Sequence, residues 1–156
     1  MVAPGGSTTQ PIEYSGTRLR SGHVFWRVEV VKMGRRVLVV DDHSDTVDAL
    51  VDLLELEGHE VRSAVTAEHA LALAEQFEPH VVVLDIGLPN MDGYELAAHL
   101  RFKVEPSCVF IAATGSGVHA DILRSKKAGF AAHLTKPINI PELLALVAPD
   151  DLMIGQ

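Results

Sequence analysis

From about Arg36 onward, short apolar runs alternate with segments in which apolar residues recur at helical spacing. Three of the runs hold only four or five residues, which is too short for helices, and they predict buried strands. They are VLVV (37–40), VVVL (81–84) and VFIAA (109–113). Two weaker strand candidates are EVRSAV (60–65) and AAHLT (131–135). The pattern therefore predicts five strands.

Between the strands, three segments carry apolar residues at the i, i+3, i+4, i+7 spacing that lines one face of a helix. These residues are Val47, Leu50, Val51 and Leu54; Ala67, Ala70, Leu71 and Ala74; and Ile140, Leu143, Leu144 and Val147. Two further helices are predicted over 92–102 and over about 118–128. Gly58 and Gly129 are interpreted as helix stops, because glycine readily adopts the left-handed conformation that ends many helices.

Strict alternation of strands and helices determines the fold class. Each crossover helix must lie over the sheet, and right-handed crossovers fix the face on which it lies. The sequence therefore predicts an α/β domain over about 36–148, with a doubly wound five-stranded parallel sheet and helices on both faces. Residues 149–156 are predicted to form a short C-terminal tail.

Residues 1–35 form an N-terminal extension of a different character. The first eleven residues are rich in Pro, Gly, Ser and Thr, a composition typical of disorder. Apolar residues then alternate with polar ones, which favours an extra strand or an arm that packs on a partner. The alternating residues are Val24, Trp26, Val28 and Val30. A second interpretation is that Met33 is the natural start and that the preceding segment is not native.

Composition adds limits on size and compartment. A chain of 156 residues can bury one sizeable core but is short for two domains. Cys108 is the single cysteine, so no internal disulfide can form and a reducing compartment is expected. No apolar run approaches the roughly 18 residues of a membrane helix, and the N-terminus lacks a secretion-signal pattern. We therefore expect a cytoplasmic protein that does not contact a membrane.

Charge and histidine spacing exclude two further classes. Residues 1–36 hold six basic and two acidic residues, a net charge of +4, whereas residues 37–156 hold seven and nineteen, a net charge of −12. An acidic body repels phosphate backbones, so direct nucleic-acid binding is not expected. The eight histidines lie at least ten residues apart, without the close spacing of a zinc site, and are interpreted mostly as surface or loop residues.

Polar residues stand where the predicted strands end. Asp41 and Asp42 follow the first strand, Asp85 closes the third, and Thr114 and Lys136 follow the last two. In a parallel α/β sheet ligands gather at the carboxyl ends of the strands. Three carboxylates placed there repel one another unless a hard cation such as Mg²⁺ lies among them. Taken singly, each Asp could be only a helix N-cap, and the Thr and Lys only solvated loop residues; their coincidence favours a common site.

At this point the sequence resembles the receiver domain of bacterial response regulators, either stand-alone or derived from a hybrid histidine kinase. The motifs that carry the resemblance stand in the family's order over about 36–148. They are VLVVDD, VVVLDIGLPNMDGYEL, AATG and GFAAHLTKPI. Each motif alone is weak, whereas the ordered set is specific. The resemblance implies a flavodoxin-like sheet with strand order 2-1-3-4-5.

The resemblance also implies roles for the residues at the strand ends. Asp85 would be the phosphoacceptor, taking a phosphoryl group from a phosphohistidine. Asp42, Asp85 and the backbone carbonyl of Gly87 would bind Mg²⁺ directly, and Asp41 would act through a metal-bound water. Thr114 would bind one phosphoryl oxygen.

The resemblance implies three further roles for residues in the fifth predicted strand and just after it. Lys136 would pair with another phosphoryl oxygen, and Pro137 would follow a cis peptide bond that aims this lysine. His133 occupies a position where the family usually has Tyr or Phe, a ring that turns inward when Thr114 moves toward the phosphate. His133 is therefore a candidate switch residue, and an exposed position on an edge strand is the alternative.

A competing motif is set aside. Gly115, Gly117 and Ala120 spell GxGxxA between a strand and a helix, the outline of a dinucleotide loop. This motif follows the fourth strand instead of the first, and no acid ends a suitably placed next strand. We interpret it as a loop of small residues beside Thr114.

The resemblance implies a signalling role through other proteins. Only eight residues follow the last predicted helix and no helix-turn-helix pattern precedes the domain, so output by protein contact or by phosphate relay is expected. The implied partners are a sensor histidine kinase or a histidine phosphotransfer protein and a downstream protein target, and self-association into a homodimer stays open. Two alternatives remain: an Mg²⁺-dependent phosphatase, for which Gly87 stands where a second acid is typical, and a docking module that works without phosphorylation.

Overall fold

The computed structural model describes residues 13–18, 24–29, 34–115 and 119–149, with only the backbone described for the first two ranges and for residues 119–121. Several expectations fall elsewhere. The predicted disorder of the first eleven residues, Val30 in the alternating segment, the start of the fourth domain helix at Val118 and the tail from residue 150 all lie outside the described residues.

The chain divides into two compact units, Met1–Met33 and Gly34–Gln156. In the first unit, strands β1 (Glu13–Arg18) and β2 (Val24–Glu29) pair antiparallel. The register runs from Glu13 opposite Glu29 to Arg18 opposite Val24. The alternating apolar segment thus lies on a strand of a two-stranded sheet.

The second unit contains the predicted parallel sheet. Its strands are β3 (Arg36–Val40), β4 (Glu60–Ala64), β5 (Val81–Asp85), β6 (Val109–Thr114) and β7 (Ala132–Thr135). All neighbouring pairs are parallel, in the order β4-β3-β5-β6-β7. Within this unit that order is 2-1-3-4-5, so the predicted fold class is confirmed.

In the described part of this unit, five helices alternate with these strands. They are α1 (Ser44–Leu56), α2 (Ala67–Phe77), α3 (Gly93–Arg101), α4 (His119–Lys127) and α5 (Ile140–Val147). Gly58 and Gly129 follow α1 and α4 with φ of 90° and 86°, the left-handed conformation predicted for helix stops. No described helix is long and apolar enough to span a bilayer.

Side chains from the two faces of the sheet build two separate apolar clusters. Alternate residues of each strand point to opposite faces, so Leu38 and Val40 join one cluster while Val37 and Val39 join the other. The first cluster packs under α2 and α3, and the second under α1 and α5. Because both faces are covered, the central strands are apolar along their whole length, which explains the uninterrupted runs in the sequence.

Two histidines anchor the start of β3 at the amino edge of the sheet. His59 Nδ1 accepts a hydrogen bond from the backbone N–H of Arg35 at 2.9 Å, and His80 Nδ1 accepts one from the N–H of Arg36 at 2.9 Å. Burial lowers the pKa of both imidazoles below its ordinary value. The arginine charges add to the effect at both rings, whereas the Glu57 charge opposes it at His59 without reversing it. Both rings therefore favour the neutral form, which alone can accept these bonds.

Because of these two histidines, we expect part of the free energy of unfolding to be lost at acidic pH. Since the folded-state pKa lies below the unfolded value of about 6.5, only the unfolded chain takes up protons as the pH first falls below that value. The free energy of unfolding should therefore decline from about pH 6.5 downward. Urea unfolding should show a smaller decline in the double variant His59→Asn/His80→Asn, because the asparagine Oδ1 stands where Nδ1 does and can accept the N–H bonds without titrating. An equal decline in both proteins would contradict this assignment.

Candidate functional site

The parallel sheet brings four of the predicted site residues to one edge. Asp41 directly follows β3, Asp85 is the last residue of β5, Thr114 is the last residue of β6, and Lys136 directly follows β7. Asp41, Asp85 and Thr114 are 3%, 5% and 6% exposed. Two carboxylates and a hydroxyl are thus buried at the carboxyl edge, where ligands of such sheets bind.

Lys136 links the two buried carboxylates. Its Nζ donates to Asp41 Oδ2 at 2.7 Å and to Asp85 Oδ2 at 3.0 Å. Burial alone would lower the pKa of Lys136, but the hydrogen bonds to both carboxylates outweigh it and raise this pKa. Burial would likewise raise the pKa of Asp41, yet the bonds from Lys136 and His43 hold that pKa below its ordinary value. Both groups are therefore charged at neutral pH.

His43 completes the charged cluster, and sequence analysis did not find it. Its backbone N–H donates to Asp41 Oδ1 at 2.9 Å, and its ring Nδ1 lies 3.0 Å from the same oxygen. The ring is 3.2 Å from Asp42 Oδ1. The hydrogen bond with Asp41 and the charges of both carboxylates raise the pKa of His43. The position directly after two aspartates was the only signal in the sequence.

The donor atoms suit a divalent cation. One ligand atom from each of Asp41, Asp42, His43 and Asp85 can be chosen so that all four lie within 4.8 Å of one another. Asp42 Oδ1 is buried and has no hydrogen-bond partner among the described residues. A buried carboxylate oxygen that accepts no hydrogen bond is costly, and a cation bound beside it, where the His43 ring nitrogen now lies 3.2 Å away, would satisfy it.

Backbone groups of the loop after β5 fix the position of the Asp85 carboxylate. Gly87 N–H donates to Asp85 Oδ1 at 2.8 Å, and Ile86 N–H donates to the carbonyl of Ala113 on β6 at 3.0 Å. A Cβ atom at Gly93, the first residue of α3, would lie 2.6 Å from Ile86 Cα. Only glycine lets the helix start approach this loop so closely.

The segment after β7 positions Lys136. Its backbone N–H donates to the carbonyl of Thr114 at 2.8 Å, and the Lys136–Pro137 peptide bond is cis. An open groove with mainly apolar lining runs beside this segment, between α1 and the start of α5. Its lining residues include Ala49, Leu53, Lys136, Pro137, Ile138 and Ile140.

His133 lies on β7 next to a buried hydrogen-bonded chain. The ring is partly buried, and Nδ1 lies 2.8 Å from Ser125 Oγ, which in turn lies 3.1 Å from the Tyr94 hydroxyl. His133 Nε2 is buried without a hydrogen-bond partner among the described residues. The exposed alternative for His133 is therefore not what the structure shows, whereas its role as a switch stays a prediction.

An ion pair also joins α3 and α4, next to the hydrogen bonds between Tyr94, Ser125 and His133. Arg124 of α4 donates to Asp92 Oδ2 at 2.7 Å and stacks 4.1 Å from the centre of the Tyr94 ring. Asp92 Oδ1 also caps α3 by accepting the N–H of Tyr94. Together with Ser125, these contacts tie α4 to the start of α3.

Removal of the Ser125 hydroxyl is expected to lower the stability of the fold, although only one atom is lost. Ser125 is 1% exposed, and Ser125→Ala takes away the partner of a partly buried imidazole. We expect the free energy of unfolding to fall by about 1–3 kcal/mol. Tyr94→Phe leaves the Ser125–His133 contact in place and should cost less. Chemical denaturation of both variants measures the difference, and an equal or larger cost for Tyr94→Phe would contradict the prediction.

Comparison with known proteins gives the family. Residues 37–148 match the model described as the response regulator receiver domain. The chain belongs to the response regulator receiver family. As a receiver domain, it is part of a two-component signalling system, and its acidic pocket is consistent with Mg²⁺ binding and aspartyl phosphorylation.

The chain is also similar to individual proteins, two of them solved response regulator structures. An uncharacterized 14.6 kDa protein of Leptolyngbya boryana is 39% identical over 112 residues, covering 71% of this chain and 86% of the relative. A CheY-like receiver domain protein from Methanospirillum hungatei is 35% identical, with a TM-score of 0.67 over 73% of this chain and 90% of that one. A Burkholderia pseudomallei response regulator, solved with a phosphorylated aspartic acid, a calcium ion and citrate, is 30% identical, with a TM-score of 0.68 over 72% of this chain and 66% of that one.

Proposed function

We propose that this receiver domain accepts a phosphoryl group on Asp85. The observation that carries the proposal is the pairing of Lys136 Nζ with oxygens of both Asp41 and Asp85 at the carboxyl edge of the sheet. A nucleophilic carboxylate, a fixed cation and an acidic pocket together are what transfer of a charged phosphoryl group requires.

The reaction is a displacement at phosphorus. An Asp85 carboxylate oxygen forms a bond to phosphorus while the bond between phosphorus and the donor's histidine nitrogen breaks. The nitrogen keeps the electron pair, and the free histidine takes up a proton from solvent as needed. Lys136 stays beside Asp85 and neutralises charge on a phosphoryl oxygen, while Thr114 offers its hydroxyl to another.

The acidic pocket would hold Mg²⁺ during this step. Asp42, Asp85 and the carbonyl of Gly87 would bind the ion directly, with Asp41 acting through a water. When bound, Mg²⁺ would supply positive charge that lowers the repulsion between the carboxylates and the incoming phosphoryl group. The buried Asp42 Oδ1, which accepts no hydrogen bond from the described residues, supports this assignment.

The phosphodonor is a phosphohistidine on a sensor kinase or a phosphotransfer protein. The groove between α1 and α5 gives such a protein a mainly apolar docking surface that includes Lys136 itself. The phosphorylated state would then act on a downstream protein or pass the phosphoryl group on, and His133 would respond to movement of Thr114.

Labelling with a small phosphodonor tests the proposal. The protein is incubated with Mg²⁺ and acetyl phosphate, and the intact mass and the modified peptide are measured. We expect one phosphoryl group on Asp85, absent when Mg²⁺ is removed with EDTA.

Other outcomes would favour the alternatives. Rapid release of many equivalents of phosphate would indicate a phosphatase, although position 87 offers only a backbone N–H to Asp85 Oδ1 and no side-chain acid. No labelling under any Mg²⁺ concentration would indicate a docking module and would refute phosphoryl transfer.

A further inference from the structure

The His43 ring lies against the site carboxylates instead of capping its own helix. His43 is the N-cap residue of α1, yet its side chain makes no capping hydrogen bond. The side chain is 66% exposed and could adopt other rotamers in solvent, but Nδ1 lies 3.0 Å from Asp41 Oδ1 and 3.2 Å from Asp42 Oδ1. The ring therefore belongs to the site, and in the part of the chain that the structure describes it is the one imidazole among the possible metal ligands there.

The positions of the donor atoms suit a shared ligand. His43 Nδ1 and the carboxylate oxygens of Asp41, Asp42 and Asp85 lie within 4.8 Å of one another. Metal–ligand bonds to nitrogen and oxygen are about 2.0–2.2 Å, so ligand atoms of one ion lie up to about 4.4 Å apart. Small side-chain movements are thus enough to bring His43 Nδ1 onto the same ion as Asp42 and Asp85, with Asp41 still acting through a water.

Lys136 leaves room for such an ion. Its Nζ bonds to Oδ2 of Asp41 and Oδ2 of Asp85, while His43 contacts Oδ1 of Asp41 and approaches Oδ1 of Asp42. The lysine and the imidazole therefore use different oxygens. Asp42 Oδ1, which has no hydrogen-bond partner among the described residues, lies on the imidazole side.

We propose that His43 Nδ1 is an additional ligand of the cation site and that it shifts the site's preference toward borderline transition ions such as Co²⁺ and Ni²⁺. This inference rests on the proposed function, which supplies the cation site, and it adds a specificity-determining residue. Mg²⁺ prefers oxygen ligands and retains its waters, so an imidazole gains little from it. Imidazole nitrogen binds Co²⁺ and Ni²⁺ well, so the same ring strengthens their binding.

Calorimetric titration of Mg²⁺, Co²⁺ and Ni²⁺ into the full chain tests the role of the ring. Work at about pH 8 keeps the imidazole available as a neutral ligand. We expect His43→Phe to weaken Co²⁺ and Ni²⁺ binding by about 10–100-fold and to change Mg²⁺ binding by less than about threefold. His69→Phe, which removes an exposed histidine on α2, is the matched control and should leave all three affinities unchanged.

A second measurement locates the ligand directly. In wild-type protein, Co²⁺ bound through Nδ1 should give a strongly contact-shifted, solvent-exchangeable signal from the Nε2–H of the His43 ring, which a ring that is only near the ion would not give. In His43→Ala this signal should be absent, and the Co²⁺ affinity should fall as it does in His43→Phe. Circular dichroism of both variants verifies that α1 and the fold are retained, and the absence of a side-chain cap at His43 makes retention the expected result.

The outcomes separate this inference from the proposed function. If His43 substitutions weaken no ion, or weaken Mg²⁺, Co²⁺ and Ni²⁺ equally, His43 does not set metal preference and the inference is overturned. In that case the proposed function would still be supported by labelling of Asp85 and by Mg²⁺ binding that Asp42→Asn weakens. Loss of the metal preference in His43→Phe with labelling of Asp85 intact supports both.

Discussion

Asp85→Asn is expected to reduce phosphorylation by acetyl phosphate to background. The amide is nearly the same size as the carboxylate, but it is not a nucleophile toward phosphorus, so no bond can form at this position. The change also removes one of the two carboxylates that pair with Lys136 and one proposed metal ligand. No increase in Mg²⁺ or acetyl phosphate should restore labelling. Intact-mass spectrometry after a fixed incubation measures the effect.

Asp42→Asn is the matched control for this prediction. It removes a carboxylate from the same cluster but leaves the Asp85 nucleophile and its contact with Lys136 in place. We expect slower labelling that is partly restored by higher Mg²⁺, because the loss is one of cation affinity. Labelling of Asp85→Asn at a rate close to wild type would show that another residue accepts the phosphoryl group.

Lys136→Met should impair both the reaction and the folded state. Lys136 is the cation beside the proposed nucleophile, and removal of one such electrostatic group typically lowers a rate by about 10²–10³-fold. The labelling rate constant should fall by that order. In EDTA, the free energy of unfolding should also fall, by about 3 kcal/mol, because Asp41 and Asp85 are buried and would lose their positive partner. Denaturant titrations measure this cost.

Added Mg²⁺ should restore part of the lost stability of Lys136→Met, because a ligand that binds only the folded state stabilises it by mass action. Lys126→Met, an exposed lysine on α4, provides the control and should leave both the rate and the stability unchanged. In the double variant Lys136→Met/Asp85→Asn, the loss of the free energy of unfolding should be smaller than the sum of the losses in the two single variants. The reason is that only one buried carboxylate then lacks its lysine partner. Strict additivity would contradict direct pairing of these residues.

Much of the fold follows from local pattern, whereas contacts between distant residues do not. The runs at β3, β5 and β6 are apolar throughout because both faces of a parallel sheet are covered, and this pattern is visible in the sequence. The helix stops at Gly58 and Gly129 are equally local, since they depend on one backbone conformation. By contrast, the hydrogen bonds from Arg35 to His59 and from Arg36 to His80 join residues 24 and 44 positions apart. Neither histidine has a sequence signal that names its partner.

The same division holds at the site. By itself, the sequence determined that acids, a threonine and a lysine stand at the ends of strands, because strand ends can be read from hydrophobic periodicity and a parallel sheet gathers them at one edge. Only the tertiary structure decided that Lys136 bonds to Asp41 and Asp85, that His43 turns onto the carboxylates, and that Ser125 bridges Tyr94 and His133. Side-chain partners depend on rotamers and on the packing of helices against the sheet, which are set by the whole fold and not by neighbours in the chain.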